Sequence, residues 1–237
     1  MMKRNLATLL VGLLFCIFAV SCCHGHVPRK INVGNQIQKQ VHARDAAVFI
    51  AIEATRLEVE AAVTGTGVTI MSSKSDDISI VLTAGHLCWV PMDPLVSESK
   101  IMVFERDGNF TYAEIKAVST NYDLCLLEVP KPLPAAGISV KSPESGDKIY
   151  YSGYPTGFYV PNVISHFEGY MAGTDPSGDH LYNIPATGGA SGSPVYNDKG
   201  QIIGIISAVM IDFDQMTFAT GNENIIDFLR DTGYLKK

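Results

Sequence analysis

The sequence predicts an all-β protein of two six-stranded antiparallel β-barrels followed by a C-terminal helix. Three observations predict it. From about Ala46 onward, short apolar or alternating runs are separated by clusters of Gly, Pro, Asn, Asp and Ser, which is the pattern of barrels or sandwiches. The proline-rich stretch Pro130-Lys131-Pro132-Leu133-Pro134 breaks helix and interior strand alike, because proline lacks a backbone donor, and it divides the runs into two sets. The 237 residues suffice for two small barrels sharing a core, but not for these plus another full domain.

Residues 1 to 22 read as an export signal. Lys3 and Arg4 give a positive start, Leu6 to Val20 form an uncharged apolar run, and Ala19-Val20-Ser21 offers small residues for cleavage. Ala19-Val20-Ser21-Cys22 also resembles a bacterial lipobox, in which Cys22 would become the lipidated first residue, although Leu rather than Ala is usual three places before the cysteine. An uncleaved anchor is the third outcome, against which the run falls short of the ~20 apolar residues of a spanning helix. The expected location is therefore exported: periplasmic, secreted, or held on the extracytoplasmic side, touching membrane only through an uncleaved signal or a lipidated Cys22. Residues 23 to 43 form a leader. Cys22-Cys23-His24-Gly25-His26 holds metal-ligand residue types, but its Gly and Pro surroundings read as a linker, and no metal or cofactor is expected.

The first barrel is assigned to residues 44–131. Its strands are predicted at Ala47 to Ile52, Leu57 to Ala61, Gly65 to Ile70, Ile78 to Thr83, Ile101 to Phe104, Tyr112 to Val118 and Leu124 to Val129. The second barrel, residues 132–221, is predicted from Lys148 to Ser152, Ser165 to Met171, Leu181 to Ile184, Ser193 to Tyr196, Gln201 to Val209 and Met216 to Ala219. In residues 222–237, Asn222 or Asn224 is expected to cap a helix whose Ile225, Ile226, Phe228 and Leu229 share a face.

The formal net charge is −6, and loss of residues 1 to 21 would leave 16 basic against 24 acidic side chains. Such a surface repels a polyanion, so nucleic acid is not an expected partner. Beyond Cys23 only Cys88 and Cys125 remain. They could pair, each lying two residues past a chemically interesting one, but burial as two small hydrophobes is the commoner fate and the one expected.

Three separated segments carry the chemistry. Val81-Leu82-Thr83-Ala84-Gly85-His86-Leu87-Cys88 is an apolar strand that presents His86 at its tip. Asn121-Tyr122-Asp123-Leu124-Cys125-Leu126-Leu127 places Asp123 at the mouth of a second apolar strand. Alone, the histidine would be read as an ordinary surface or core residue and the aspartate as a turn or cap. Thr187-Gly188-Gly189-Ala190-Ser191-Gly192-Ser193-Pro194-Val195 is more specific, because glycines around one serine let the backbone turn tightly and aim its N–H groups inward. A flexible Gly/Ser loop explains that segment alone but not the three together. An α/β-hydrolase is excluded, since position 193 is Ser rather than Gly and no histidine follows His180.

The order His86, Asp123, Ser191 resembles that of the chymotrypsin-fold serine peptidases. Within that fold the chain is similar to HtrA-type proteases and glutamyl endopeptidases. Gly146-Asp147-Lys148-Ile149-Tyr150-Tyr151-Ser152-Gly153-Tyr154-Pro155 and Gly200-Gln201-Ile202-Ile203-Gly204-Ile205-Ile206 match their segments, with Ile149 in place of a valine, and the likeness runs from about Val63 to Leu229. The resemblance implies a serine endopeptidase acting on polypeptides, with His86, Asp123 and Ser191 as catalytic triad and the amides of Gly189 and Ser191 as oxyanion hole. It also implies a substrate pocket with its base at Pro185, Ala186 and Thr187 and a wall at Ser207, Ala208 and Val209. No acid lies in either segment, so cleavage after Lys or Arg is disfavoured. Ile206 stands where glutamyl endopeptidases carry a histidine, which argues against glutamate selectivity. The expected preference is for small or medium apolar residues before the scissile bond. Ala190 replaces the aspartate by which trypsin-like zymogens capture a new N-terminus, so that switch is not expected. Two alternatives remain at this point: a non-catalytic binding protein on the same scaffold, and a self-processing protease with little activity in trans.

Overall fold

The computed structural model describes residues 40–210 and 213–236; the signal, Cys22 and most of the leader lie outside these residues. In chain order the elements are α1 (Ala43–Ala46), β1 (Ala47–Arg56), β2 (Val59–Ser73), β3 (Ile78–Ala84), α2 (Gly85–Met92), β4 (Val96–Phe104), β5 (Phe110–Tyr112), β6 (Glu114–Ser119) and β7 (Leu124–Val129). They continue with β8 (Lys148–Gly153), a 3-10 turn at Pro155–Gly157, β9 (Ser165–Thr174), β10 (Asp179–Asn183), β11 (Pro194–Tyr196), β12 (Ile202–Met210), β13 (Phe213–Gly221) and α3 (Asn222–Asp231).

The second set of strands closes into a six-stranded barrel in the order β10-β13-β12-β11-β8-β9. The first set forms a seven-stranded sheet, β5-β4-β1-β2-β3-β7-β6, in which every described pairing is antiparallel. The protein is thus mostly β with two barrel-like sheets, one closed and one a half-barrel, followed by the C-terminal helix. Two predicted strands, Leu57 to Ala61 and Gly65 to Ile70, are one continuous β2. Leu57 and Glu58 form the tight turn before it with φ of 49° and 67°. Two successive left-handed residues are what a two-residue hairpin turn of matching twist requires, and nothing in Leu-Glu announces it.

Strands β3 and β7 run between two apolar layers, which explains why their sequences read as continuous apolar runs. Ile80, Leu82, Leu124 and Leu126 face a core shared with Tyr196, Ile202 and Ile205 of the barrel and with Ile225, Phe228 and Leu229 of α3. Val81, Cys125, Leu127 and Val129, on the alternate positions, face the interior of the first sheet with Ile50, Ile101 and Leu87. The shared core sets the two sheets against each other. Ile226 is only half-buried, so the inward face of α3 is narrower than expected. The helix begins at a Gly221 N-cap without a side-chain cap. Asn222 instead donates from Nδ2 to Ser139 O at 2.9 Å and accepts from Ser142 Oγ at 2.9 Å, tying the inter-sheet segment to the helix.

Cys88 and Cys125 are disulfide-bonded, which corrects the expectation of two free buried thiols. Their backbones stand 6.4 Å apart because α2 packs across the start of β7, and that separation is within reach of a bridge. The bond closes a loop with a sequence separation of 37, for which chain entropy alone gives about 3–4 kcal/mol. We predict that the double variant Cys88→Ser/Cys125→Ser folds but melts about 5–15 °C below the wild type, as read by thermal unfolding; an unchanged Tm would show that the bond adds nothing.

Candidate active site

β3 ends at Ala84 and the chain turns into α2 at Gly85, so His86 is the second residue of an eight-residue helix. A helix N-terminus leaves its first N–H groups without acceptors, and the Ala84 N-cap has no side chain to offer one. Asp123 supplies the acceptors from the turn before β7. Its backbone carbonyl accepts from Gly85 N–H at 2.8 Å and its Oδ1 accepts from His86 N–H at 2.7 Å. Its Oδ2 lies 2.8 Å from His86 Nδ1. A carboxylate oxygen accepts, so in this contact Nδ1 is the donor and Nε2 is left without a partner among the described residues.

Two backbone features make this grip possible. Asp123 sits in the left-handed region with φ 48°, a conformation that costs of order 1–3 kcal/mol in a non-glycine residue and that collects at functional sites. Gly85 allows the approach: a Cβ there would lie 2.8 Å from Leu124 N and 3.0 Å from Asp123 Oδ1. The Cys88–Cys125 bond then ties the chain two residues beyond His86 to the chain two residues beyond Asp123. Trp89, 42% exposed, makes a T-shaped contact with the imidazole, ring centroids 6.3 Å apart.

Ser191 comes from the second barrel. Its carbonyl accepts from Thr66 N–H of β2 at 2.8 Å, and a Cβ on the following Gly192 would strike Thr66 O at 1.9 Å and approach Ala84 N to 3.1 Å. The glycine loop is therefore pressed against the end of the strand that delivers His86. Among the described residues, Ser191 Oγ makes no hydrogen bond. The loop's amides divide into two groups. Ala190 N–H donates to Thr187 O, Gly192 N–H to Ile206 O and Ser193 N–H to Ala190 O, at 2.8 to 3.0 Å. The amides of Gly189 and Ser191 have no acceptor among the described residues. The reason lies in the preceding carbonyls: Gly188 O accepts from Thr156 N–H at 2.5 Å and Ala190 O accepts from Ser193 N–H at 2.9 Å. In a trans peptide the N–H points opposite the C=O, so both unpaired amides face away from those donors. Gly189 has φ 85°, and a Cβ there would lie 2.5 Å from Gly157 N.

The proposed pocket segments lie beside this loop. Pro185 O accepts from Tyr151 Oη at 3.0 Å, a phenol whose pKa burial pushes well above its ordinary value and which therefore stays a donor. Ala186 is buried in the apolar cluster that fills the barrel, and Val209 packs against the same cluster. Thr187 and Ala208 are exposed, and Ser207 donates from Oγ to Phe218 O at 3.3 Å.

The other described histidines are engaged elsewhere. His42 accepts from Arg44 N–H as the cap of α1, and His166 Nδ1 lies 2.8 Å from Ser152 Oγ. Buried His180 pairs with Tyr182 Oη at 2.8 Å, and burial lowers its pKa so that it stays neutral. His86 is the one among them that pairs with a carboxylate. Sequence reasoning reached His86, Asp123 and the glycine loop, but missed Thr66, Thr156 and the disulfide. The Gly65-Thr66-Gly67 triplet was the available signal for Thr66, since glycines on both sides of a small polar residue mark close backbone approach.

The family model of the trypsin-like peptidase domain matches residues 65–205, more than half of the chain and inclusive of all three residues. No curated protein matches the sequence. Among solved structures, a serine endoprotease from Yersinia pestis is similar with a TM-score of 0.63 and 18% identity, covering 81% of this chain and 64% of that one. The chain thus spans about 64% of the length of the Yersinia pestis chain. A protease from M. tuberculosis in its active form is similar with a TM-score of 0.61 and 20% identity, covering 82% and 84% of the two chains. At these identities the two structures speak to the fold. The matched family span, together with that fold, makes this chain a member of the trypsin-like serine peptidase family.

Proposed function

We propose that the protein is an exported serine endopeptidase that cleaves polypeptides through His86, Asp123 and Ser191. The observation that carries this reading is the Asp123 carboxylate holding His86 by both backbone and ring while two unpaired amides flank Ser191 on the facing loop. Nε2 of His86 takes the proton of Ser191 Oγ as the oxygen attacks a peptide carbonyl, and the tetrahedral oxyanion accepts from the Gly189 and Ser191 amides. One such donor contributes about 3 kcal/mol to the barrier reduction in comparable sites. The imidazolium, stabilised by Asp123, returns the proton to the leaving amine. Water then repeats the sequence on the acyl-enzyme and regenerates Ser191. In this reading the Ser191–His86 hydrogen bond forms when substrate is bound.

The substrate pocket belongs to the same reading, with Pro185, Ala186 and Thr187 below and Ser207, Ala208 and Val209 beside. The burial of Ala186 and the packing of Val209 on the barrel's apolar cluster favour small or medium apolar residues before the scissile bond. Lysine or arginine would bring an unpaired charge to a segment without an acid. The disulfide supports an oxidising, extracytoplasmic location, since such bonds persist there and are rare in a reducing cytosol. Membrane attachment, where present, comes from Cys22 or an uncleaved signal, and N-terminal mass spectrometry of the exported chain distinguishes the two.

Two measurements check these assignments. Ser191→Ala and His86→Ala should each lower kcat on an unfolded protein substrate by about 10⁴-fold or more, and Asp123→Asn by about 10⁴-fold, with circular dichroism unchanged. Retention of wild-type turnover by any of the three would remove that residue from the mechanism. In a peptide library, Ala, Val and similar residues should dominate the position before the cut. A profile led by Lys, Arg or Glu would reject the pocket assignment.

A further inference from the structure

We propose that Thr66, a residue of the first sheet that touches no substrate, is the positioning residue that holds the oxyanion loop in its working shape; this rests on the assignment of Gly189 and Ser191 to the oxyanion hole. Thr66 is fully buried, and each of its hydrogen-bonding functions is used. Its Oγ1 donates to Gly189 O at 3.1 Å and accepts from Tyr154 N–H at 3.0 Å. Its N–H donates to Ser191 O at 2.8 Å, and its own carbonyl accepts from Thr83 Oγ1 at 2.7 Å.

The geometry gives these bonds a specific consequence. The amides of Gly189 and Ser191 are unpaired, and Thr66 grips the carbonyls of the same two residues. Ala190, between them, has no polar side chain with which to anchor the loop. Holding both carbonyls fixes the Gly189–Ala190 and Ser191–Gly192 peptide planes, each of which directly follows a plane that carries an unpaired amide. A glycine at φ 85° would otherwise rotate with little resistance. The Tyr154 N–H bond adds a third anchor, because the Tyr154–Gly157 turn supplies the Thr156 N–H that holds Gly188 O. Thr66 therefore joins the two supports of the loop at one hydroxyl. Through Thr83, three residues before His86 on β3, it also ties the loop to the strand that delivers the base. Catalysis by fixed dipoles requires that they not reorganise as charge develops, and a residue that locks the loop acts on kcat rather than on substrate affinity.

The test uses the full chain as wild type, Thr66→Val, Thr66→Ser and Thr83→Val, with Ser191→Ala as blank. Each is assayed on p-nitrophenyl acetate and on a peptide p-nitroanilide with alanine before the scissile bond, with circular dichroism as the fold control. Thr66→Val keeps the shape and the backbone N–H but loses both hydroxyl bonds. It should lower kcat by about 10- to 100-fold with KM within about twofold, whereas Thr66→Ser should restore kcat to within about threefold of wild type. Thr83→Val, which frees the Thr66 carbonyl alone, should lower kcat by about 3- to 10-fold. A folded Thr66→Val with wild-type kcat, or a Ser variant no better than the Val variant, overturns the proposal. If Thr66→Val does not fold, Thr83→Val decides, and wild-type kcat there overturns it equally. Turnover by the wild type that Ser191→Ala does not abolish instead defeats the catalytic reading itself, separately from the clamp.

Discussion

Asp123 accepts three hydrogen bonds from two consecutive residues of a helix to which it does not belong, and the arrangement of the site follows from that contact. It satisfies the first amides of α2, places a negative charge where the helix dipole favours one, and fixes which nitrogen of His86 bears the proton. The left-handed backbone of Asp123 and the missing side chain of Gly85 are the local conditions for this contact. The Cys88–Cys125 bond holds the same two segments together two residues further on. A carboxylate serving only as a turn residue would need none of this support.

The second constraint is the seam between the sheets. The shared core of β3, β7, β11, β12 and α3 brings the halves together, but apolar packing alone does not set a loop to within a fraction of an ångström. Polar contacts do that. The carbonyls of the glycine loop are distributed among donors in β2, in the Tyr154–Gly157 turn and in the loop itself, and the amides of Gly189 and Ser191 are among those left over. In the proposed mechanism, function lies in what remains unpaired after the backbone's hydrogen bonds have been assigned. Thr66, with Ser191 on its N–H and Thr83 on its carbonyl, is where the two halves of the site are mechanically joined.

Much of this was legible in the residues. Short apolar or alternating runs bounded by turn residues located nearly all the strands: Leu124 to Val129 lies between Asn121-Tyr122-Asp123 and Pro130, and Lys148 to Ser152 between Gly146-Asp147 and Gly153. The three chemical segments were readable because glycine and a lone serine or histidine at a strand end are uncommon without a reason. What was missed depends on contacts distant in the chain. The helix bearing His86 is capped by Asp123, 37 positions on, so no local N-cap announces it. The disulfide depends on α2 crossing β7. The first sheet stays open as seven strands, and strand count and closure are set by register across the whole sheet rather than by any one segment.

In the proposed mechanism Ser191 is a nucleophile activated by His86 and aided by the amides of the glycine loop. Reaction of the full chain with a fluorophosphonate, followed by peptide mapping, reads that role at a single atom. One adduct per chain is expected, on Ser191 Oγ, forming far more slowly when His86 is alanine. An unmodified Ser191 in the folded wild-type protein, or an adduct on a different residue, would contradict it.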